Sequence, residues 1–230
     1  MRTQFDKELA DIRNSIRQLG AQASNATARA VQALIQRDME AARAVKRDDL
    51  SSDTLRYEIE NLCLTVIATQ QPVARDLREL TAATFVAVEL ERCGDYAKGI
   101  AKAARRIIRA NSQIGAFAIQ EMADQARIML DRSVDAFVRQ DAALARDLID
   151  MDQMVDAHYD ALLQQVTADM SSQPNHIEGG IWVLHAGHCL ERIGDRATNI
   201  AERVIFMDTG VFTGDLNTRK TDAARPLTGG

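Results

Sequence analysis

The hexapeptide LERCGD at residues 90–95 returns one hundred positions later as LERIGD at residues 190–195. The similarity extends further, because eight of the twelve positions are identical between residues 90–101 and 190–201. A second correspondence lies upstream at an offset of 103, where Asp38, Ala42, Arg43, Asp49 and Asp53 align with Asp141, Ala145, Arg146, Asp152 and Asp156. Two separate matches at nearly the same offset indicate an internal duplication.

The composition predicts an all-α protein. Hydrophobic residues make up 46% of the chain while aromatic residues make up only 4%, and three prolines and twelve glycines interrupt 230 residues, a balance that favours long helices over sheets. The pattern predicts six long antiparallel helices over residues 5–37, 39–70, 72–110, 116–140, 141–170 and 174–207. Short connections make consecutive helices neighbours, so we expect a tandem duplication of two three-helix bundles. The bundles would span residues 1–112 and 113–208, with a disordered tail over 209–230.

Charge and hydropathy exclude several functions. The 28 basic and 33 acidic residues are mixed along the chain, so no basic stripe is seen for nucleic acid to follow. The N-terminus has no apolar signal core, and no uncharged stretch approaches the roughly 18 residues that a transmembrane helix needs. We therefore expect a cytoplasmic protein. The widely spaced Cys63, Cys93 and Cys189 are predicted to be buried thiols.

Four acidic pairs at i, i+4 spacing share helical faces with apolar residues. They are Asp49 with Asp53, Glu91 with Asp95, Asp152 with Asp156, and Glu191 with Asp195. Carboxylates facing a bundle lose hydration, and a cation must offset that loss.

The cation is either a metal ion or a side chain. A salt-bridge network would use Arg56, Arg92, Arg192 and Arg196. Arg92 and Arg192 lie about 100° off the acidic faces, which places them poorly for this task. The residues alone leave the two interpretations open.

If a metal binds, the all-oxygen donors favour magnesium, manganese, calcium or oxidised iron, with zinc possible. His188 is a further candidate ligand or supporting group. Four carboxylates repel phosphate, so we do not expect direct phosphate binding at these pairs. Gly94 and Gly194, each before an aspartate, suggest a close approach of a neighbouring helix.

The chain resembles the PhoU family of phosphate transport system regulators. The resemblance covers the chain up to about Met207 and rests on the Phe5-x-x-Glu8-Leu9 start, the junction QPVARDLR at 71–78 and the two Leu-Glu-Arg-x-Gly-Asp segments. It implies metal ligands at Asp49, Asp53, Glu91, Asp95, Asp152, Asp156, Glu191 and Asp195. It implies divalent or trivalent metal ions as cofactors: iron, zinc, manganese or magnesium.

The resemblance also implies a regulator without enzymatic activity. Such a protein represses the phosphate-starvation response and restrains phosphate uptake, linking the ATPase subunit of the phosphate ABC transporter to a sensor histidine kinase. These partners would hold it at the periphery of the inner membrane, and we expect a homodimer that binds no nucleic acid. The sequence itself shows no nucleophile with its base and no phosphate-cradling glycine loop.

The two copies differ at one position of the motif. Asn199 follows Asp195 by four residues and is a further predicted ligand, whereas Gly99 stands at that position in the first copy, next to the competing cation Lys98. We therefore expect the second half to bind metal more tightly.

Two rival functions remain. A carboxylate-bridged di-iron enzyme needs Glu-x-x-His on two helices, and no such segment occurs. A metal-free helical scaffold needs only salt bridges among the acidic pairs.

Overall fold

The computed structural model describes residues 2–48, 50–115 and 118–211, and within these ranges the chain is helical, without a β-strand. This confirms the all-α prediction. The α-helices are α1 (Arg2–Ile35), α2 (Met39–Arg47), α3 (Leu50–Gln70), α4 (Ala74–Arg109), α5 (Ile119–Arg139), α6 (Ala142–Ile149), α7 (Asp152–Ser172) and α8 (Ile177–Thr209). A 3₁₀ turn, Pro174–His176, precedes α8. The helices α1 to α4 and α5 to α8 are the two copies of the duplication.

The prediction of single helices over 39–70 and 141–170 is wrong, because each is broken after its first two turns. Asp48 and Asp150 end the short helices α2 and α6. Both end residues keep right-handed backbone angles, with φ of −81° and −70°. Any residue adopts such angles, so neither glycine nor proline marks these breaks in the sequence.

The junctions before α2 and α6 are built in the same way. Arg37 and Gln140 take left-handed angles, with φ of 55° and 56°, and so end the preceding helix. The carboxylates of Asp38 and Asp141 then each accept two backbone N–H bonds of 2.9–3.0 Å from the next helix. These N-caps explain why the two aspartates correspond in the duplicated sequence.

The long helices of both halves share one continuous core. Helix α4 packs against α1 and α8, α5 packs against α8 and α1, and α3 and α7 lie outside against α4 and α8. Leu90 and Leu190 of the repeated motif are fully buried in this core. The bundle boundaries at 1–112 and 113–208 stay a prediction, since helices of the two halves bury one another.

Two glycines show where helices approach closely. A Cβ on Gly99 would lie 2.7 Å from Cys189 Sγ, so α4 and α8 meet at a position without room for a side chain. A Cβ on Gly194 would lie 3.5 Å from Val155, an ordinary contact. The predicted close approach at Gly194 is therefore wrong, whereas the close contact between α4 and α8 requires a glycine at position 99.

Helix α8 runs two residues beyond the predicted end, to Thr209, and Gly210 closes it with φ of 73°. Of the predicted disordered tail, residues 212–230 lie outside the described residues. None of the described helices combines the length and the apolar character needed to cross a membrane. Burial raises the pKa of Cys63 to about 12 and of Cys189 to about 11, and Cys93 is also buried, which confirms the prediction of buried thiols.

Candidate functional site

The acidic residues of the second half face one another across α7 and α8. Burial raises the pKa of Asp152, and repulsion from Asp156, Asp195 and Glu191 raises it further. Burial likewise raises the pKa of Asp156, followed by repulsion from Glu191 and Asp195. The structure therefore brings together the four carboxylates that the sequence pairs as two sets.

The first half repeats this arrangement on α3 and α4. Burial raises the pKa of Glu91, with Asp95 and Asp53 adding repulsion, while Arg56 and Lys98 oppose the rise. The fourth predicted ligand, Asp49, lies outside the described residues. Three of the four predicted carboxylates of this half thus lie near one another.

Basic side chains already contact several of these carboxylates. Arg192 donates to Asp195 at 2.6 Å, and Nδ1 of His188 lies 2.8 Å from Glu191. In the first half Lys98 Nζ lies 2.5 Å from Asp95. Side-chain cations therefore offset part of the acidic charge at both sites.

The structure corrects one spacing argument. Arg192 was expected to lie too far round the helix to reach the acidic face, yet it bonds Asp195 three residues on. The long arginine side chain spans the angle that separates the two Cβ atoms, which the helical wheel ignores.

All four arginines named for a salt-bridge network form ion pairs. The remaining three pairs are Arg56 with Glu60 at 2.7 Å, Arg92 with Glu89 at 2.8 Å and Arg196 with Glu89 at 3.1 Å.

Within the described residues, no three histidine, cysteine, aspartate or glutamate side chains converge in a metal-binding geometry. The chemistry of the donor set nevertheless suits a hard cation, because every carboxylate offers oxygen. After burial, repulsion from neighbouring carboxylates is the next cause of the raised pKa values of Asp152 and Asp156, while Arg192 and His188 contact Asp195 and Glu191. A cation would relieve that repulsion.

Asn199 has a different contact from the predicted one. Its side-chain N–H donates to Glu89 Oε2 at 3.0 Å, which joins α8 to α4 across the two halves. The residue before Asn199 differs between the two acidic sites. It is Thr198, beside Asp152, in the second half, and its equivalent in the first half is Lys98. The case for a stronger second site now rests on Lys98 rather than on Asn199.

Residues 16–104 and 119–204 each match the PhoU domain. The chain belongs to the PhoU domain family. The two matched ranges are the two copies of the duplication, so each half of the structure is one PhoU domain. This confirms the resemblance drawn from the repeated motif.

Relatives of the PhoU family match this chain over nearly its whole length. The phosphate-specific transport system accessory protein PhoU homolog of Caulobacter vibrioides is 35% identical over 207 residues, which cover 90% of both chains. The homolog of Pseudomonas putida is 33% identical over 208 residues, covering 90% of this chain and 81% of the relative.

Solved PhoU structures share the fold. The crystal structure of PhoU from Pseudomonas aeruginosa has a TM-score of 0.85 at 31% identity, covering 90% of this chain and all of that one. The phosphate transport system regulatory protein PhoU from Streptococcus pneumoniae has a TM-score of 0.84 at 29% identity, covering 91% of this chain and 99% of that one.

Two buried glutamates that contact both PhoU domains were not found from the sequence. The Glu89 side chain is only 2% exposed and accepts bonds from Arg92 of its own helix and from Arg196 and Asn199 of α8. Glu79 is similarly buried, and Arg13 donates to it through two nitrogens at 2.6 and 2.9 Å. Neither glutamate has an acidic partner four residues away in the sequence, so the search for acidic pairs passed over both.

Proposed function

We propose that this chain is an accessory regulator of phosphate-specific transport. The observation that carries the proposal is the match of both halves to the PhoU domain, together with relatives that are named as accessory proteins of phosphate-specific transport systems. The alignments with these relatives cover 90% of this chain, so both PhoU domains take part in the comparison.

In this role the protein couples the ATPase subunit of a phosphate ABC transporter to a sensor histidine kinase. When phosphate is plentiful it restrains uptake and keeps the starvation response off, as a cytoplasmic homodimer held at the inner membrane by its partners. No catalytic step is part of this function. The partner interactions are tested by capturing the purified ATPase subunit and the cytoplasmic domain of the kinase on the immobilised chain, with and without added metal. Retention of neither partner under either condition would contradict the proposal.

We propose further that the acidic clusters hold metal ions of the iron, zinc, manganese or magnesium class. Asp152, Asp156, Glu191 and Asp195 would bind through oxygen, and the ion would supply the positive charge that Arg192 supplies only in part. A metal at the surface would also organise a docking face for a partner. Asp49, Asp53, Glu91 and Asp95 would form the equivalent site of the first half, and the Asn199 side chain would support the second site.

Elemental analysis of protein purified without chelator tests the metal proposal. The Asp195→Ala variant is expected to lose more bound metal than Asp95→Ala, because Arg56 and Lys98 both act on the Glu91 carboxylate of the first half, whereas Asp152 and Asp156 of the second half are repelled by neighbouring carboxylates. Equal losses in the two variants would refute the difference between the sites. Absence of metal from the wild type, with a thermal midpoint unchanged by EDTA, would favour the metal-free scaffold instead.

A further inference from the structure

A strongly basic cleft lies between α2 and α4, and one of its lining residues, Lys98, also pairs with Asp95 of the first acidic cluster. It has a volume of about 440 Å³, which falls within the range of roughly 300–1,000 Å³ typical of small-molecule sites. Small residues form its floor, namely Ala42, Gly99 and Ala101. In the described part of the chain all of its charged lining residues are cationic: Lys46, Lys98, Lys102, Arg105, Arg106 and Arg109.

The cations follow one face of α4 in two rows. Lys98, Lys102 and Arg106 succeed one another at four-residue steps, and Arg105 and Arg109 form a parallel step. The face covers roughly 16 Å of helix at 1.5 Å per residue. The helix dipole favours Arg106 and Arg109 in the last turn of α4, but like charges four residues apart destabilise a helix, so helix formation does not account for the cations further up the row.

Few protein groups neutralise these cations. Lys98 pairs with Asp95 outside the cleft, and Lys102 and Arg106 lie 5.7 and 5.5 Å from the centre of the Trp182 ring. The Nε of Arg105 is buried and has no hydrogen-bond partner among the described residues, so the protein leaves this guanidinium only partly bonded. A bound anion would supply counter-charge to Arg105 and to the other cations that line the cleft.

The second PhoU domain provides an internal comparison. None of the six cations is repeated there, since the equivalent residues are Ile149, Thr198, Glu202, Ile205, Phe206 and Thr209. The duplicated fold therefore forms without the basic row. The six cations occur in the first domain alone, so the packing of the duplicated helices does not require them.

We propose that this cleft binds a soluble anion that carries several linked phosphoryl groups. Arginine and lysine form short, charge-assisted hydrogen bonds to phosphate oxygens, and arginine does so through two nitrogens at once. The row of cations is longer than one orthophosphate can contact, so a chain of phosphoryl groups uses more of it. This inference stands apart from the regulatory role and from the metal sites, since it needs neither a partner protein nor a metal.

Trp182 allows binding to be measured directly in the full chain. It is the only tryptophan and touches two of the cleft cations, so an anion that draws Lys102 and Arg106 away changes its fluorescence. Sodium tripolyphosphate is titrated in EDTA, at constant ionic strength, with calorimetry in parallel. We expect saturable binding of one anion per chain, at least about tenfold tighter than orthophosphate or sulfate, because more charge-assisted hydrogen bonds form. Absence of saturation, or equal binding of sulfate, would overturn the proposal.

Substitutions assign the site. Arg105→Gln is expected to weaken tripolyphosphate binding about tenfold through loss of a charge-assisted hydrogen bond. Arg139→Gln removes the same charge from an exposed position of α5 and is expected to leave affinity within twofold. Equal weakening in both variants would show a general charge effect and refute the site.

Circular dichroism checks the fold of Arg105→Gln, and Lys46→Gln on the exposed opposite wall serves as a second cleft variant with a smaller expected loss. If neither cleft variant weakens binding, the proposal is wrong. ATP is titrated in the same way to identify the source of the phosphoryl chain. If ATP and tripolyphosphate bind with equal affinity, the site recognises the phosphoryl groups alone. If ATP binds more tightly, the site recognises a nucleotide. Both results support a phosphoryl-chain site.

Discussion

Replacing Glu89 with alanine tests how the two PhoU domains are joined. The carboxylate is 2% exposed and accepts bonds from Arg196 at 3.1 Å and from Asn199 at 3.0 Å, both on α8. The Arg196 side chain is itself only 17% exposed; its Nη1 bonds Glu89, and its buried Nε has no hydrogen-bond partner among the described residues. Removing Glu89 therefore leaves a guanidinium buried between α4 and α8 without a counter-charge.

The size of the loss follows from this burial. Removing one partner of a buried ion pair costs about 3–5 kcal/mol of unfolding free energy. The pair with Arg92 adds little, because that side chain is 51% exposed and stays hydrated. We expect Glu89→Ala to lower the free energy of unfolding by about 3 kcal/mol. Glu89→Gln keeps an acceptor and is expected to lose less.

Urea unfolding followed by circular dichroism measures the effect. The matched control is Glu40→Ala, which removes the same side chain from an exposed pair, in which Glu40 is 70% and Arg43 is 47% exposed. We expect the control to lose about 0.5 kcal/mol. A loss in Glu89→Ala no larger than in the control would refute the view that Glu89 stabilises the contact between the domains.

Three further substitutions test other parts of the structure. Glu91→Gln in EDTA is expected to stabilise the fold by up to about 0.5 kcal/mol at pH 7. The folded-state pKa of Glu91 is raised, so its charged form destabilises the fold at pH values above that pKa. The stability gained by Glu91→Gln should therefore vanish as the pH falls towards the ordinary pKa of 4.5. A gain in unfolding free energy that persists near pH 4.5 in urea titrations would contradict this. Gly99→Ala is expected to destabilise by about 1–3 kcal/mol by overpacking against Cys189, with recovery in the Gly99→Ala/Cys189→Ala double variant; thermal unfolding without such recovery would place the strain elsewhere. Asp141→Ala is expected to cost about 1 kcal/mol through loss of the N-cap, seen as a lower urea midpoint.

The sequence predicted the helical class and the duplication because both depend on local patterns. Leu90 and Leu190 recur because each is buried in the shared core, and Asp38 and Asp141 recur because each caps a helix. The breaks at Asp48 and Asp150 were missed, since their backbone angles stay near helical values. The close contact at Gly99 was missed for a different reason. It joins Gly99 to Cys189, ninety positions further along the chain, and local patterns carry no signal for such a contact.

The carboxylates of the acidic clusters could be predicted from the sequence, but the basic side chains that contact them could not. Helical spacing placed Glu191 and Asp195 on one face, yet it gave no account of Arg192 reaching that face. The basic cleft was also missed, because basic and acidic residues were compared over the whole chain, in which they are mixed. Only the row from Lys98 to Arg109, with no acid inside it, carried a signal, and the fold adds Lys46 from α2.

Phosphate uptake in living cells tests the regulatory function most directly. Cells that lack this gene are grown in phosphate-rich medium, and the uptake of labelled phosphate is compared with the parent strain and with a strain that carries the gene on a plasmid. The account predicts raised uptake and expression of starvation genes in the deletion strain, with both restored by the plasmid. Uptake and expression that stay at the parental level after deletion would contradict it.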